Sequence, residues 1–284
     1  GLGLNFNHRF YLGASLGITD FYYRENSTLK EWYEEGTIPY LNDFEFNSSL
    51  RTYGTGYNFK LGAIFKPVNN LRIGASLVTP TLMKLNDRFE TTMGSSITWD
   101  DNSSETFSAS SPYNEYDYEL TTPFRATLSG ALVMGKRGLV SADVEYIDYA
   151  MAKLRSGGDG YNFADENSDI TDLFQPVTNV RLGGEFRLTE SFSLRGGYEL
   201  YPSAFKNMAF GVDQPNAGQN HTVLSAGFGY SSGGFFADMA FRHGEITRYN
   251  RLYPEPSSDG FPTPAMAAFD EVSNKVLFTL GFRF

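Results

Sequence analysis

The chain has no cysteine among its 284 residues, so neither a disulfide framework nor a thiolate metal site can be built. Histidine is nearly as scarce. His8, His221 and His243 stand far apart and show no metal-ligand spacing. His221 and Ser225 share one strand end without an identifiable third partner, so no enzyme, cofactor or metal centre is expected. No apolar run approaches the roughly 20 residues that a membrane-spanning helix needs. Basic residues are outnumbered, 23 Lys and Arg against 33 Asp and Glu, for a net charge of −10. That balance disfavours nucleic acid as a partner, because such binding needs a basic footprint. None of these absences excludes a protein that crosses a membrane with strands.

What is plentiful fits that remaining class. The chain has 25 Phe, 18 Tyr and 29 Gly, a mixture that favours strands and turns over helices. Segment 275–284 sets Val276, Phe278, Leu280, Phe282 and Phe284 on one parity and Leu277, Thr279, Gly281 and Arg283 on the other. Strand side chains alternate between faces, so one face of this segment meets an apolar medium. The same alternation recurs in 10–23, 53–66, 71–79, 124–134, 139–149, 179–188, 192–200, 222–230 and 235–242. About ten full strands result, with a stub at 1–6.

Two regularities assign the class. Away from the loop ends, where Asp20 and Asp148 stand, every charge within these strand cores falls on the polar parity, among them Lys60, Arg72, Arg125, Asp143, Glu145, Arg181, Arg195, Asp238 and Arg242. At bilayer depth a Lys or Arg facing lipid costs roughly 2–4 kcal/mol, which accounts for the exclusion. Connections also alternate in length. Short ones fall at 7–8, 66–70, 135–138, 189–191 and 231–234, and long ones at about 26–52, 80–122, 150–177, 202–220 and 244–272. Short periplasmic turns, long extracellular loops and alternating strands of about ten residues describe an outer-membrane barrel. The expected fold is therefore all-β, an antiparallel transmembrane β-barrel. Bacterial single-chain barrels have an even number of strands, and ten with a stub make an interrupted series. Residues 1–284 are thus expected to be one barrel domain, incomplete at its N-terminus. The acidic and Asx-rich loops at 113–119 and 155–172 match no defined calcium-binding spacing, which favours solvated surface over a cation site.

Several strings carry a resemblance. They are Gly1-Leu-Gly-Leu-Asn-Phe6 with Arg9-Phe-Tyr-Leu-Gly-Ala-Ser-Leu-Gly17, and Gly56-Tyr-Asn-Phe-Lys-Leu-Gly-Ala-Ile-Phe-Lys-Pro67 followed by Asn70-Leu-Arg-Ile-Gly-Ala-Ser-Leu-Val-Thr-Pro80. Further on stand Asp143-Val-Glu-Tyr-Ile-Asp-Tyr149, Arg181-Leu-Gly-Gly-Glu-Phe-Arg187 and Leu194-Arg-Gly-Gly-Tyr198. In this order and spacing they resemble the outer-membrane long-chain fatty acid and aromatic hydrocarbon transporters. The resemblance spans essentially the whole chain, as the C-terminal two-thirds of a member. It implies a monomeric barrel of about 14 strands, of which roughly 10–11 lie here, with a plug and first strands outside this chain. It also implies residence in the bacterial outer membrane, contact with its lipid, and recognition of the terminal strand, ending in Phe284, by the barrel-assembly machinery.

The site candidates follow from the polar face and the loops. Most polar-face charges are expected to pair with one another. One or two cations are expected to bind the carboxylate of an acyl ligand, a task that suits the planar guanidinium. Arg125 and Arg72, on consecutive strands with Ser129, Thr127 and Ser76 nearby, lead this group, and Lys60 joins them. Phe205, Phe210, Phe261 and Phe269 are candidates for an outer hydrophobic groove, against the alternative that these loops pack on one another. Thr79-Pro80 and Thr122-Pro123 either end their strands or make a bulge in the wall, because proline deletes a ladder donor. The expected function is passive uptake of hydrophobic small molecules. The alternatives are a protein-secretion adaptor or shuttle and a general water-filled porin.

Overall fold

A computed structural model describes residues 1–33, 38–251 and 265–282. Phe261, Arg283 and Phe284 lie outside the described residues. The strands are β1 (Leu2–Phe6), β2 (Phe10–Trp32), β3 (Leu41–Val68), β4 (Leu71–Val78), β5 (Leu82–Thr98), β6 (Ser104–Ser110), β7 (Asn114–Thr121), β8 (Arg125–Val133), β9 (Gly138–Asp148) and β10 (Lys153–Ser156). After the helix α1 (Ala164–Leu173) come β11 (Pro176–Arg187), β12 (Phe192–Tyr201), β13 (Met208–Ala209), β14 (Val212–Asp213), β15 (His221–Ser232), β16 (Phe235–Arg251) and β17 (Met266–Phe282). All but the small β13–β14 hairpin join one antiparallel sheet of fifteen strands. The sheet is open: among the described residues β1 pairs only with β2, and β17 only with β16.

Alternation decides which way side chains point. The outward parity carries Leu16 and Ile18 on β2 and Phe278 and Leu280 on β17, all between 66% and 72% exposed. Nothing among the described residues covers them, as a lipid-facing wall requires. The opposite, lumenal parity carries the charges. Each wall strand from 10–18 through 276–282 keeps this division, so the pattern read from the sequence holds.

The segments 26–52 and 80–122, expected as long loops, are largely strand. β2 runs for 23 residues and β3 for 28. At roughly 3.3 Å per residue both continue far beyond a bilayer, and β5, β6, β7 and β10 extend the same sheet. These stretches lack the lipid-facing alternation because both of their faces meet water or protein.

β5 continues β4 through a bulge. Val78 stands opposite Lys60, whereas Leu82 stands opposite Tyr57. Three residues, 79–81, thus face two, 58–59. A one-residue slip moves every following side chain to the other face. Below the bulge, Ile73, Ala75 and Leu77 point outward. Above it the outward set is Lys84, Asn86 and Arg88, and Met83 and Leu85 turn inward to 7% and 5% exposure. β7 and β8 make the matching exchange across 122–124. On the next strand five residues, 148–152, oppose those three, taken up by a 3-10 turn at Tyr149–Met151. The chain swaps faces where lipid gives way to water.

The chemistry of the swap is common to three places. The Thr79 N–H donates to the Phe59 carbonyl at 2.9 Å, and the Thr79 hydroxyl accepts the Phe59 N–H at 2.9 Å. Thr122 does the same with Thr81, at 3.0 and 2.9 Å, and Ser111 with Thr91, at 2.8 and 3.0 Å. Each is followed by proline, which lacks an N–H and constrains the residue before it. The hydroxyl takes over from the carbonyl, so no ladder N–H is orphaned. Gly54 serves the close approach beyond the bulge, since a Cβ there would stand 2.0 Å from the Lys84 carbonyl oxygen.

Candidate functional site: unpaired cations on the lumenal face

The lumenal charges divide into two groups by strand. On β9, β11, β12 and β16 all of them but Asp143 are paired. Glu145 accepts from Arg181 at 2.8 Å and from Asn179 at 3.0 Å. Arg181 Nε reaches the Tyr201 hydroxyl at 3.2 Å, the Tyr201 hydroxyl donates to Glu199, and Glu199 pairs with Arg242 at 3.0 Å. Nearer the short turns, Arg195 joins Glu185 at 2.9 Å and Asp238 at 2.5 Å. Each cation's positive charge is neutralised within the wall.

Lys60 on β3, Arg72 on β4 and Arg125 on β8 differ. None has a hydrogen-bond or ion-pair partner among the described residues. The register places Lys60 and Arg125 on either side of Val78, in one row across three strands. Two strand spacings separate them, about 10 Å. Arg72 lies six residues along β4 from Val78, about 20 Å away at the strand rise. Arg125 therefore groups with Lys60 rather than with Arg72.

The rows beside this pair are small and polar. Gly62, Ser76, Thr127 and Glu145 form the next lumenal row, and Ile64, Gly74, Ser129 and Asp143 the one after. Gly62, Ile64, Gly74, Ser76 and Ser129 of these rows floor a groove of about 820 Å³ that reaches from Lys60 to Arg72 and is bounded by Tyr11, Ser15 and Asp143. Asn58, on the same face of β3 as Lys60, donates to Thr81 Oγ1 at 3.0 Å, and its buried Oδ1 has no partner.

On the other side of the cations the lining is apolar. Ile147, opposite Arg125, is 2% exposed. Beyond the bulge come buried Met83 and Leu85, then Tyr116 and Tyr118 with the tilted Phe163 ring packed against them at 6.2 and 6.4 Å. Phe163 arrives from the start of α1, where it takes a left-handed φ of 50°. The helix holds its place through Asn167, whose side-chain amide exchanges two hydrogen bonds with the Leu154 backbone, at 2.8 and 2.9 Å. Burial and the Asp87 carboxylate push the Tyr118 phenol up to about 12.

The phenylalanine candidates are not brought together. Phe205 packs on Phe174, tilted by 35° at 5.2 Å and joined by a β-bridge, so it packs loop against loop. Phe210 is 58% exposed beside the β13–β14 hairpin, and Phe269 is 46% exposed on β17, opposite Arg248. Sequence reasoning missed the apolar stretch formed by Met83, Leu85 and Phe163. Its signal was present in the alternation of Met83, Leu85 and Phe89 with Lys84, Asn86, Arg88 and Glu90, interrupted at Asp87 and hidden by the parity change at Pro80.

A profile of the outer membrane protein transport proteins (OMPP1/FadL/TodX) matches residues 5–243. No curated protein matches the chain. Among solved structures, the P. putida toluene transporter TodX is 13% identical with a TM-score of 0.54, over 99% of this chain and 67% of its own. The Ralstonia pickettii toluene transporter TbuX is 14% identical with a TM-score of 0.52, over 99% and 65%. The CymD monoaromatic hydrocarbon channel is 13% identical with a TM-score of 0.51, over 86% and 66%. The chain thus spans about two thirds of the length of the structures it matches. At such identities the likeness bears on fold, and the sheet described above is the wall of an antiparallel transmembrane β-barrel.

Proposed function

Because the chain belongs to the outer membrane protein transport family (OMPP1/FadL/TodX), we propose that it forms part of a channel for hydrophobic small molecules in the bacterial outer membrane. The favoured cargo is an amphiphile with an acidic head, such as a long-chain fatty acid. The observation that carries this is the uncompensated pair of Lys60 and Arg125. An aromatic hydrocarbon offers such cations only the weak attraction of its ring face, whereas a carboxylate neutralises them with charged hydrogen bonds and leaves its tail for the apolar lining at Ile147, Met83 and Leu85. Arg72, at the far end of the groove, is a second station along the same path. Movement is downhill, with no energy source.

The test compares binding of a long-chain fatty acid and of toluene by the parent and by Lys60→Gln/Arg125→Gln. Loss of about 1.4 kcal/mol, tenfold in affinity, is expected for the acid, with toluene unaffected. Equal binding of the acid by both proteins refutes the assignment. A second reading has one observation in its favour: the ordered sheet of β2, β3, β5 and β6 beyond the membrane offers a surface on which a secretion adaptor could carry a protein partner. Deleting that sheet's tip while retaining fatty-acid binding separates the two readings.

A further inference from the structure

Outside the lumen, the register of three strands sets three arginines side by side. Arg24 of β2 stands directly opposite Arg51 of β3, and Arg51 directly opposite Arg88 of β5. All three are on the outward face. The β2–β3 register runs without interruption from Phe10 to Trp32, so Arg24 and Arg51 share the face of Ile18 and Tyr57. Like charges directly opposed across a ladder destabilise a sheet. Such a row therefore costs the fold stability unless an anion lies against it.

The chain supplies little of that anion. At one end Arg88 pairs with Glu115 at 3.3 Å, and its guanidinium lies 4.8 Å from the Tyr53 ring centre. At the other end Arg24 Nε reaches the Asn26 side-chain oxygen at 3.3 Å, in the amide orientation that satisfies its neighbours. Arg51, in the middle, has no hydrogen-bond or ion-pair partner among the described residues. Glu90 shares this part of the face, opposite Ser49, and pairs with none of the three.

Position identifies the kind of anion. Tyr57 is the first outward aromatic beyond the bulge on β3, where an aromatic girdle marks the edge of the hydrocarbon. Arg51 lies six residues farther on, about 20 Å along the strand, which a tilt of roughly 45° reduces to about 14 Å of height. That is the level of a lipid headgroup built of sugars, above the acyl chains. The row also faces away from the lumen, so it has no part in the passage described above. Guanidinium groups match phosphate oxygens with paired N–H donors.

We propose that Arg24, Arg51 and Arg88 form a docking site for the phosphate-bearing headgroup of an outer-leaflet glycolipid. The glycolipid's phosphates lie across the three guanidinium groups and remove the repulsion that the register imposes.

The purified full-length protein in detergent is titrated with rough-type lipopolysaccharide, with the same lipid after enzymatic dephosphorylation, and with inorganic phosphate, reading the rise in thermal unfolding temperature. Arg51→Gln is expected to weaken lipopolysaccharide binding about fivefold, the order set by one basic side chain at an anionic lipid surface. Arg24→Gln/Arg51→Gln/Arg88→Gln is expected to abolish the rise. Lys153→Gln, also outward but off the row, should leave it unchanged. Without glycolipid, Arg51→Gln should melt at or above the parent, because the substitution relieves repulsion, and this arm holds even if the triple variant fails to fold. Dephosphorylated lipid should bind weakly. Binding insensitive to Arg51→Gln, a lower melting point of that variant in glycolipid-free detergent, or equal binding of the dephosphorylated lipid each overturns the proposal. So does inorganic phosphate that matches lipopolysaccharide, which makes the row a free-anion site.

Discussion

The hydroxyl of Thr122 accepts the backbone N–H of Thr81 at 2.9 Å, where the Thr122 carbonyl would stand in an uninterrupted ladder. Replacing that hydroxyl with a methyl leaves the Thr81 N–H without an acceptor. Thr122→Val is expected to cost about 1–3 kcal/mol, the penalty for an unsatisfied donor away from water, and Thr122→Ser very little. Thr79→Val should behave likewise through the Phe59 N–H. Denaturant unfolding of the three variants against the parent measures it, and equal stability of Thr122→Val would show that the hydroxyl bond carries no weight.

The parity change makes a second, sharper prediction about single positions. The Lys84 side chain is 87% exposed and Met83 is buried at 7%. With no cysteine elsewhere in the chain, Lys84→Cys should react quickly with a membrane-impermeant thiol reagent, and Met83→Cys should be protected. An unbroken strand through Pro80 reverses the two rates.

This same exchange explains how much could be read beforehand. Where one face meets lipid and the other a polar lumen, as at Leu16 and Gly17 or Leu77 and Ser76, alternation is unmistakable and the wall was legible strand by strand. Beyond Thr79 and Thr122 the outward face becomes Lys84, Arg88, Glu115 and Glu119, and the apolar residues turn inward. The alternation persists with its sense reversed, so it reads as loop. The pairing of Arg181, Arg195 and Arg242 and the freedom of Lys60 and Arg125 depend on register between strands far apart in sequence, which no local pattern records. The cationic candidates themselves were visible as polar-parity charges, but only the cross-strand rows separate Arg72 from Arg125.

The paired ladder predicts a stability effect distinct from the binding effect at Lys60 and Arg125. Glu145 is buried, at 8% exposure, and depends on Arg181 and Asn179. Arg181→Met strands its carboxylate. Breaking a buried pair from one side costs about 3–5 kcal/mol, and a partly exposed arginine lowers this to about 2 kcal/mol. Glu145→Gln/Arg181→Met should recover part of the loss. Thermal unfolding in detergent compares the two, and a double variant no better than the single one removes Glu145 as the cause.

Above the membrane, Tyr118 ties the strands to the helix and gives the extension a pH limit. Its hydroxyl donates to Asp87 at 3.3 Å, and the Phe163 ring packs on it, tilted by 40°, with centroids 6.4 Å apart. Burial first, then the Asp87 charge, raises the phenol from 10.0 to about 12, so the folded state favours the neutral form. The stability this group contributes is fully present below pH 10 and is lost as pH rises toward about 12. Burial and then Asp159 raise Tyr116, and the Glu166 hydrogen bond and then burial raise Tyr161, so the informative quantity is a difference between proteins. Following phenolate absorbance with pH, the parent should show one late-titrating phenol that Tyr118→Phe lacks. Because Tyr118→Phe removes the titrating group while keeping the ring against Phe163, the variant should also lose less stability than the parent between neutral pH and pH 11. Identical pH dependence of the two proteins would mean that the α1 contact does not rest on a neutral Tyr118.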